Sequence, residues 1–143
     1  MSEPSTIRVD QFLAHPPARV WTALTDSDQL ARWLMPNTFR LVAGHRFTFR
    51  TEPVPAHGFD GVISCQVLDF AAPRLLRISW RGASLDTVVT WTLQAEGKGT
   101  RLFLEHSGFD PHDPTHQLTR KILDGGWRSH VMRALERCLD QSA

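Results

Sequence analysis

Gly99 to Leu139 reads GTRLFLEHSGFDPHDPTHQLTRKILDGGWRSHVMRALERCL, and its apolar period changes part-way along. As far as His106 the residues alternate. Thr100, Leu102, Leu104 and His106 share one face, and Arg101, Phe103 and Glu105 share the other, which is the signature of a half-buried strand. From Pro114 the period becomes that of a helix. Leu123, Trp127, Val131, Ala134, Leu135 and Cys138 make one stripe, with Asp113 as the expected N-cap and Pro114 as the first helical residue. A strand closing a series of strands and followed by a long amphipathic helix is the core of the fold expectation.

Upstream, STIRVDQFL gives a first strand, and Pro16-Pro17 stops it. Two short helices follow, ARVWTALT and QLARWL, the second capped within DSD and ended by Pro36. Strands are then expected at FRLVA, RFTFRT, VISCQVLDF, LLRISW and TVVTWTL, with Gly44-His45 as a hairpin turn between the first two. One face of these strands is apolar throughout and the other is polar, so the long helix should cover the apolar side. The expectation is a single α+β domain over residues 1–143. It has a seven-stranded antiparallel sheet curved around the C-terminal helix, with two short helices between strands 1 and 2. A cavity between sheet and helix is expected with it.

Composition excludes several classes. The chain has 143 residues, a formal charge of +1 and 22% charged residues, with basic side chains dispersed. That argues against a nucleic-acid binder, and no apolar run reaches the ~20 residues that span a bilayer. MSEPSTIRVD lacks the basic and apolar regions of a secretory signal, and two cysteines make no disulfide framework, so a cytoplasmic location is expected.

His106 is the anomaly, an imidazole ending an apolar strand face. It fits a histidine hydrogen-bonded within the core, a polar contact for a bound molecule, or an acid–base group. Its neighbour Glu105 points to the opposite face and cannot orient it. His130 lies beside Trp127 and Ala134 by helical spacing and is expected to share a cavity wall with His106. His112 and His116 are four apart, but Asp113-Pro114 starts a helix between them, so no metal site is expected. Cys65 alternates with Ile63 and Val67 and reads as an inert packed thiol. Five tryptophans and no tyrosine suit an apolar wall or a plain core. The expected ligand-lining set is Trp33, Phe47, Phe49, Trp80, Trp91, Leu104, His106, Trp127 and His130. No catalytic residue or cofactor is expected.

PPARVWTALTDSDQLARWLMP, GFDGVISCQVLDF, RLLRISWRG, DTVVTWTL, GTRLFLEHSGF and Gly126-Trp127 resemble, in order, the AHSA-type branch of the START-like (SRPBCC) helix-grip superfamily. The resemblance runs from about Ile7 to Leu139 and implies the helix-grip fold. That branch is named for a co-chaperone domain that stimulates a heat-shock-protein ATPase, while the wider superfamily contains hydrophobic-ligand and lipid carriers and some polyketide cyclases. The leading expectation is non-enzymatic binding of a small hydrophobic or aromatic molecule. The alternatives are a stress-linked co-chaperone-like module with a chaperone as partner, and a cyclase-type enzyme using a cavity histidine.

Overall fold

The computed structural model describes residues 5–141, so the first four and last two residues of the expected domain lie outside the described residues. The chain runs β1 (Thr6–Leu13), α1 (Pro17–Thr25), α2 (Ser27–Trp33) and β2 (Arg46–Arg50), then a 3₁₀ turn at Pro55–His57. β3 (Val62–Ala71), β4 (Leu75–Gly82), β5 (Leu85–Glu96) and β6 (Gly99–Ser107) follow. The C-terminal helix comprises α3 (Pro114–Gly126), a π-helical turn (Trp127–Val131) and α4 (Met132–Gln141). The sheet is antiparallel in the order β1-β6-β5-β4-β3-β2, with β1 at one edge. Its register stacks inward residues across strands. Val9 stands opposite Leu104, Leu104 opposite Trp91, and Trp91 opposite Leu76. All four are buried, as alternation requires of a one-sided sheet.

Six strands form among the described residues, not seven: Phe39–Ala43 is no strand. Side chains take the ladder positions there. The Asn37 Oδ1 accepts the Phe39 N–H at 3.0 Å, and the Thr38 hydroxyl oxygen accepts the Thr48 N–H at 3.0 Å. Val42 N–H then bonds back two residues to the Arg40 carbonyl at 2.9 Å, a turn too tight for extended chain. Short polar side chains that bond their own backbone compete with a ladder in this way. The apolar alternation still holds locally, since Phe39 is buried and Leu41 packs on the core. Gly44 and His45 are not a hairpin tip. They extend the pairing to β3 through Gly44 N–H to Val67 O (2.8 Å) and Val67 N–H to His45 O (2.9 Å).

The helix starts as its sequence dictates. Asp113 accepts the Thr115 and His116 N–H groups at 2.8 and 3.3 Å, with Pro114 at N1. Its middle differs from a uniform period. Met132 N–H reaches back five residues to Trp127 O, so one extra residue enters the turn. Burial accordingly steps from Trp127 to Met132, and then to Leu135, Cys138 and Leu139, while Val131 and Ala134 are only half-buried. Helix α3 buries no residue fully, and Leu118 and Ile122 are 50% and 56% exposed.

Candidate functional site

Beneath α3, at the end of the sheet that carries the β4–β5 turn, lies a cavity of about 310 Å³. Four segments build it. Helix α3 contributes Thr115, Thr119, Ile122, Leu123 and Gly126, with Trp127 and Val131 just beyond. Strands β3 and β4 contribute Ile63 and Trp80, and the turn between β4 and β5 contributes residues 82–85. The chain after α2 supplies Leu34 and Met35, and the chain before β3 supplies Thr51, Val54 and Phe59. The lining is almost wholly apolar and holds no acid, base or thiol among the described residues. Among the described residues, its polar side-chain groups are four hydroxyls, on Thr51, Ser84, Thr115 and Thr119, and the indoles of Trp80 and Trp127, the latter bonded to His106.

Local sequence fixes these walls. Val54 and Phe59 exchange backbone hydrogen bonds of 2.8 and 3.2 Å around the Pro55–His57 turn, which holds both residues at the cavity. Gly61 ties the same loop down, its carbonyl accepting the Thr51 N–H at 2.8 Å. Its φ of +87° and the 2.5 Å a Cβ there would have from Thr51 O leave room for glycine alone. Ala83 adopts φ +52° in the β4–β5 turn, a left-handed conformation usually left to glycine or asparagine. Gly126 is open on its cavity side, since a Cβ built there meets nothing within 4 Å.

His106 stands behind the wall, not on it. It is fully buried, and its hydrogen bonds form a closed chain. Trp127 Nε1–H donates to His106 Nδ1 at 3.2 Å, which leaves the ring proton on Nε2. That proton goes to Thr87 Oγ1 at 2.7 Å, and the Thr87 hydroxyl donates to the Trp80 carbonyl at 2.8 Å. Burial pushes the imidazole pKa down to about 3, so the ring is neutral at physiological pH with both nitrogens engaged. His106 is thus a positioning residue. It holds the Trp127 ring that forms the cavity's inner wall, and it touches Trp80 and Phe109 with ring centroids 5.4 and 4.8 Å apart.

Of the residues expected to line a site, Trp80 and Trp127 do so. Phe47 and Phe49 pack behind Trp80, Phe47 edge-on to Phe49 at 5.4 Å and Phe49 tilted against Trp80 at 5.6 Å between centroids. Trp91 meets Trp127 edge-on at 6.2 Å, and Leu104 lies deeper still. Trp33 fastens α2 to α1 through Nε1–H to Ala23 O at 2.8 Å. His130 is exposed and is not on the wall, because the π-helical turn shifts the helix phase. His116 Nδ1 accepts the Asp110 N–H at 3.0 Å, and no group of three or more metal-ligating side chains forms among the described residues. The Cys65 thiol is pushed up to about 12 by burial and stays protonated. No helix among the described residues is long and apolar enough to cross a membrane.

The lining also includes Leu34, Met35, Val54, Phe59 and Ile122, which the sequence reading does not single out. One signal was present: Leu118 and Ile122 form an apolar i, i+4 pair one residue off the main stripe.

The family model of the Activator of Hsp90 ATPase homolog 1-like proteins matches residues 14–140. The chain belongs to that family. No curated protein matches it. Among solved structures, this family member is similar to protein MLL2253 from Mesorhizobium loti, with 32% identity, 96% of this chain and 98% of that one covered, and a TM-score of 0.85. Protein BH1534 from Bacillus halodurans is 26% identical over 97% and 99% of the two chains, with a TM-score of 0.78. DynU16, a protein in the dynemicin biosynthetic locus, shares the fold at 21% identity and a TM-score of 0.76. There 97% of this chain matches 48% of that one.

Proposed function

We propose that this family member binds a small apolar or aromatic molecule in the cavity under α3 and performs no bond chemistry on it. The observation that carries the reading is an apolar cavity of about 310 Å³ without a titratable lining group among the described residues. Such a site draws its affinity from apolar transfer. Micromolar binding needs about 8 kcal/mol, equivalent to roughly 330 Å² of apolar surface removed from water at ~25 cal/mol per Å². An open interior supports a binder over a co-chaperone-like module with a filled core. A neutral, doubly hydrogen-bonded His106 and an exposed His130 weigh against the cyclase-type reading.

The test is a titration with N-phenyl-1-naphthylamine, a neutral dye that brightens in apolar surroundings. The dye should bind with micromolar affinity and quench tryptophan emission through Trp80 and Trp127. Gly126→Leu should weaken binding at least about tenfold without loss of stability, because it fills the cavity while removing a helical glycine. Absence of dye binding to the wild type, or undiminished binding to Gly126→Leu, would count against the proposal.

A further inference from the structure

Building on that reading, we infer that the cavity selects neutral molecules bearing a hydrogen-bond acceptor, such as a ketone or ester carbonyl on an aromatic body, and that Trp80 is the residue that reads the acceptor. The indole N–H groups of Trp33, Trp80, Trp91 and Trp127 differ in what they bond. Trp33 spends its N–H on the Ala23 carbonyl and Trp127 on His106. The Trp91 N–H is sealed in the core without a partner and does not reach the cavity. Trp80 differs on both counts. Its ring lines the cavity, its N–H has no hydrogen bond among the described residues, and that nitrogen is not sealed from solvent as that of Trp91 is.

Rigidity makes this donor selective. Phe49, His106 and Trp127 surround the Trp80 ring at centroid distances of 5.6, 5.4 and 5.6 Å, and Thr87 ties down its carbonyl. The ring cannot turn to find another acceptor. A ligand without an acceptor would strand the N–H in apolar contact, whereas a carbonyl would satisfy it, and that difference is a specificity term. The hydroxyls of Thr51, Ser84 and Thr115 belong to exposed residues that solvent can satisfy, so they discriminate little. Charge is selected against by the same wall. No cationic side chain lines the cavity among the described residues, so a carboxylate would lose its hydration without gaining a partner.

Three molecules of nearly one shape test this: 2-acetylnaphthalene, 2-isopropenylnaphthalene and 2-naphthoate, each competing against N-phenyl-1-naphthylamine. Trp80→Phe should weaken the ketone about tenfold more than the alkene, the share of one hydrogen bond. Naphthoate should bind the wild type at least about tenfold more weakly than the ketone. A measurement on the unaltered protein guards against a poorly folded variant. In ¹H–¹⁵N spectra the Trp80 indole signal should move downfield with the ketone and not with the alkene. Equal losses for ketone and alkene, an unmoved indole signal, or naphthoate binding as tight as the ketone would overturn the inference while leaving the binding reading intact. Failure of all three to bind would overturn the binding reading and this inference with it.

Discussion

Helices α3 and α4 are continuous in the chain, yet they relate to the sheet in opposite ways. Helix α4 buries Met132, Leu135, Cys138 and Leu139 against the core, and its flank is pinned by Gln11 to Glu136 and by His15 to Asp140 at 2.8 and 2.9 Å. Helix α3 buries nothing fully and stands over a cavity. Between them sits the π-helical turn, where Trp127 faces the cavity and is hydrogen-bonded to His106 behind it. The difference teaches how one amphipathic helix serves two purposes. Packing along α4 supplies the anchorage, so α3 is free to roof a space that packing would otherwise close.

The contrast is broken most directly by truncating one residue in each half. Leu135→Ala should cost about 2–5 kcal/mol in urea denaturation, because Leu135 is fully buried and leaves a void. Ile122→Ala should change stability by less than ~1 kcal/mol while weakening dye binding, since that side chain is 56% exposed at the cavity. Comparable losses from the two would mean that α3 is as much an anchor as α4.

A smaller effect sharpens the role of the junction. The folded chain keeps His106 neutral down to about 3, whereas an unfolded chain protonates it near 6.5. Between those values the unfolded state holds more protons, so the His106 contribution is intact above pH 6.5 and is lost as pH falls. The wild type should lose up to about 1.4 kcal/mol per pH unit more than His106→Leu in that window. Urea melts at several pH values read this directly. Parallel stability curves for the two proteins would show that the imidazole is not sealed. At pH 7 the same variant should perturb dye binding indirectly, through Trp127, whose N–H loses its acceptor, and through Trp80, whose ring loses a packing partner.

The smallest effect concerns the helix itself. Gly125 is exposed, and a Cβ there meets nothing within 4 Å. Gly125→Ala should stabilise by about 0.5–1 kcal/mol through helix propensity alone, a rise of a few degrees in melting temperature. A destabilised Gly125→Ala would instead mean that α3 needs to flex where it meets the π-helical turn.

Local rules were legible wherever one residue's neighbours in sequence are also its partners. Alternation placed β3 to β6 and their inward faces, and Asp113-Pro114 marked the start of α3, because strand pleat and helix cap act over a few residues. FRLVA alternates as well as any strand, but Asn37 and Thr38 capture the neighbouring amides, and alternation carries no information about that competition. The π-helical turn was hidden for a related reason. An inserted residue satisfies the packing of Trp127 and Met132 on a sheet that the helix sequence does not contain.

By itself, then, the sequence determined an antiparallel sheet with one apolar face, two short helices and a long amphipathic helix to cover it. It also determined an aromatic interior with an imidazole at the end of β6. Only the tertiary structure decided that His106 serves Trp127 and Thr87, residues 21 and 19 positions away, and so is a support instead of a contact. It likewise decided that the cavity draws on the chain after α2, the loop before β3 and the β4–β5 turn. Period and propensity act over a few residues along the chain. A cavity is a space left between distant segments, and its position follows from how those segments pack.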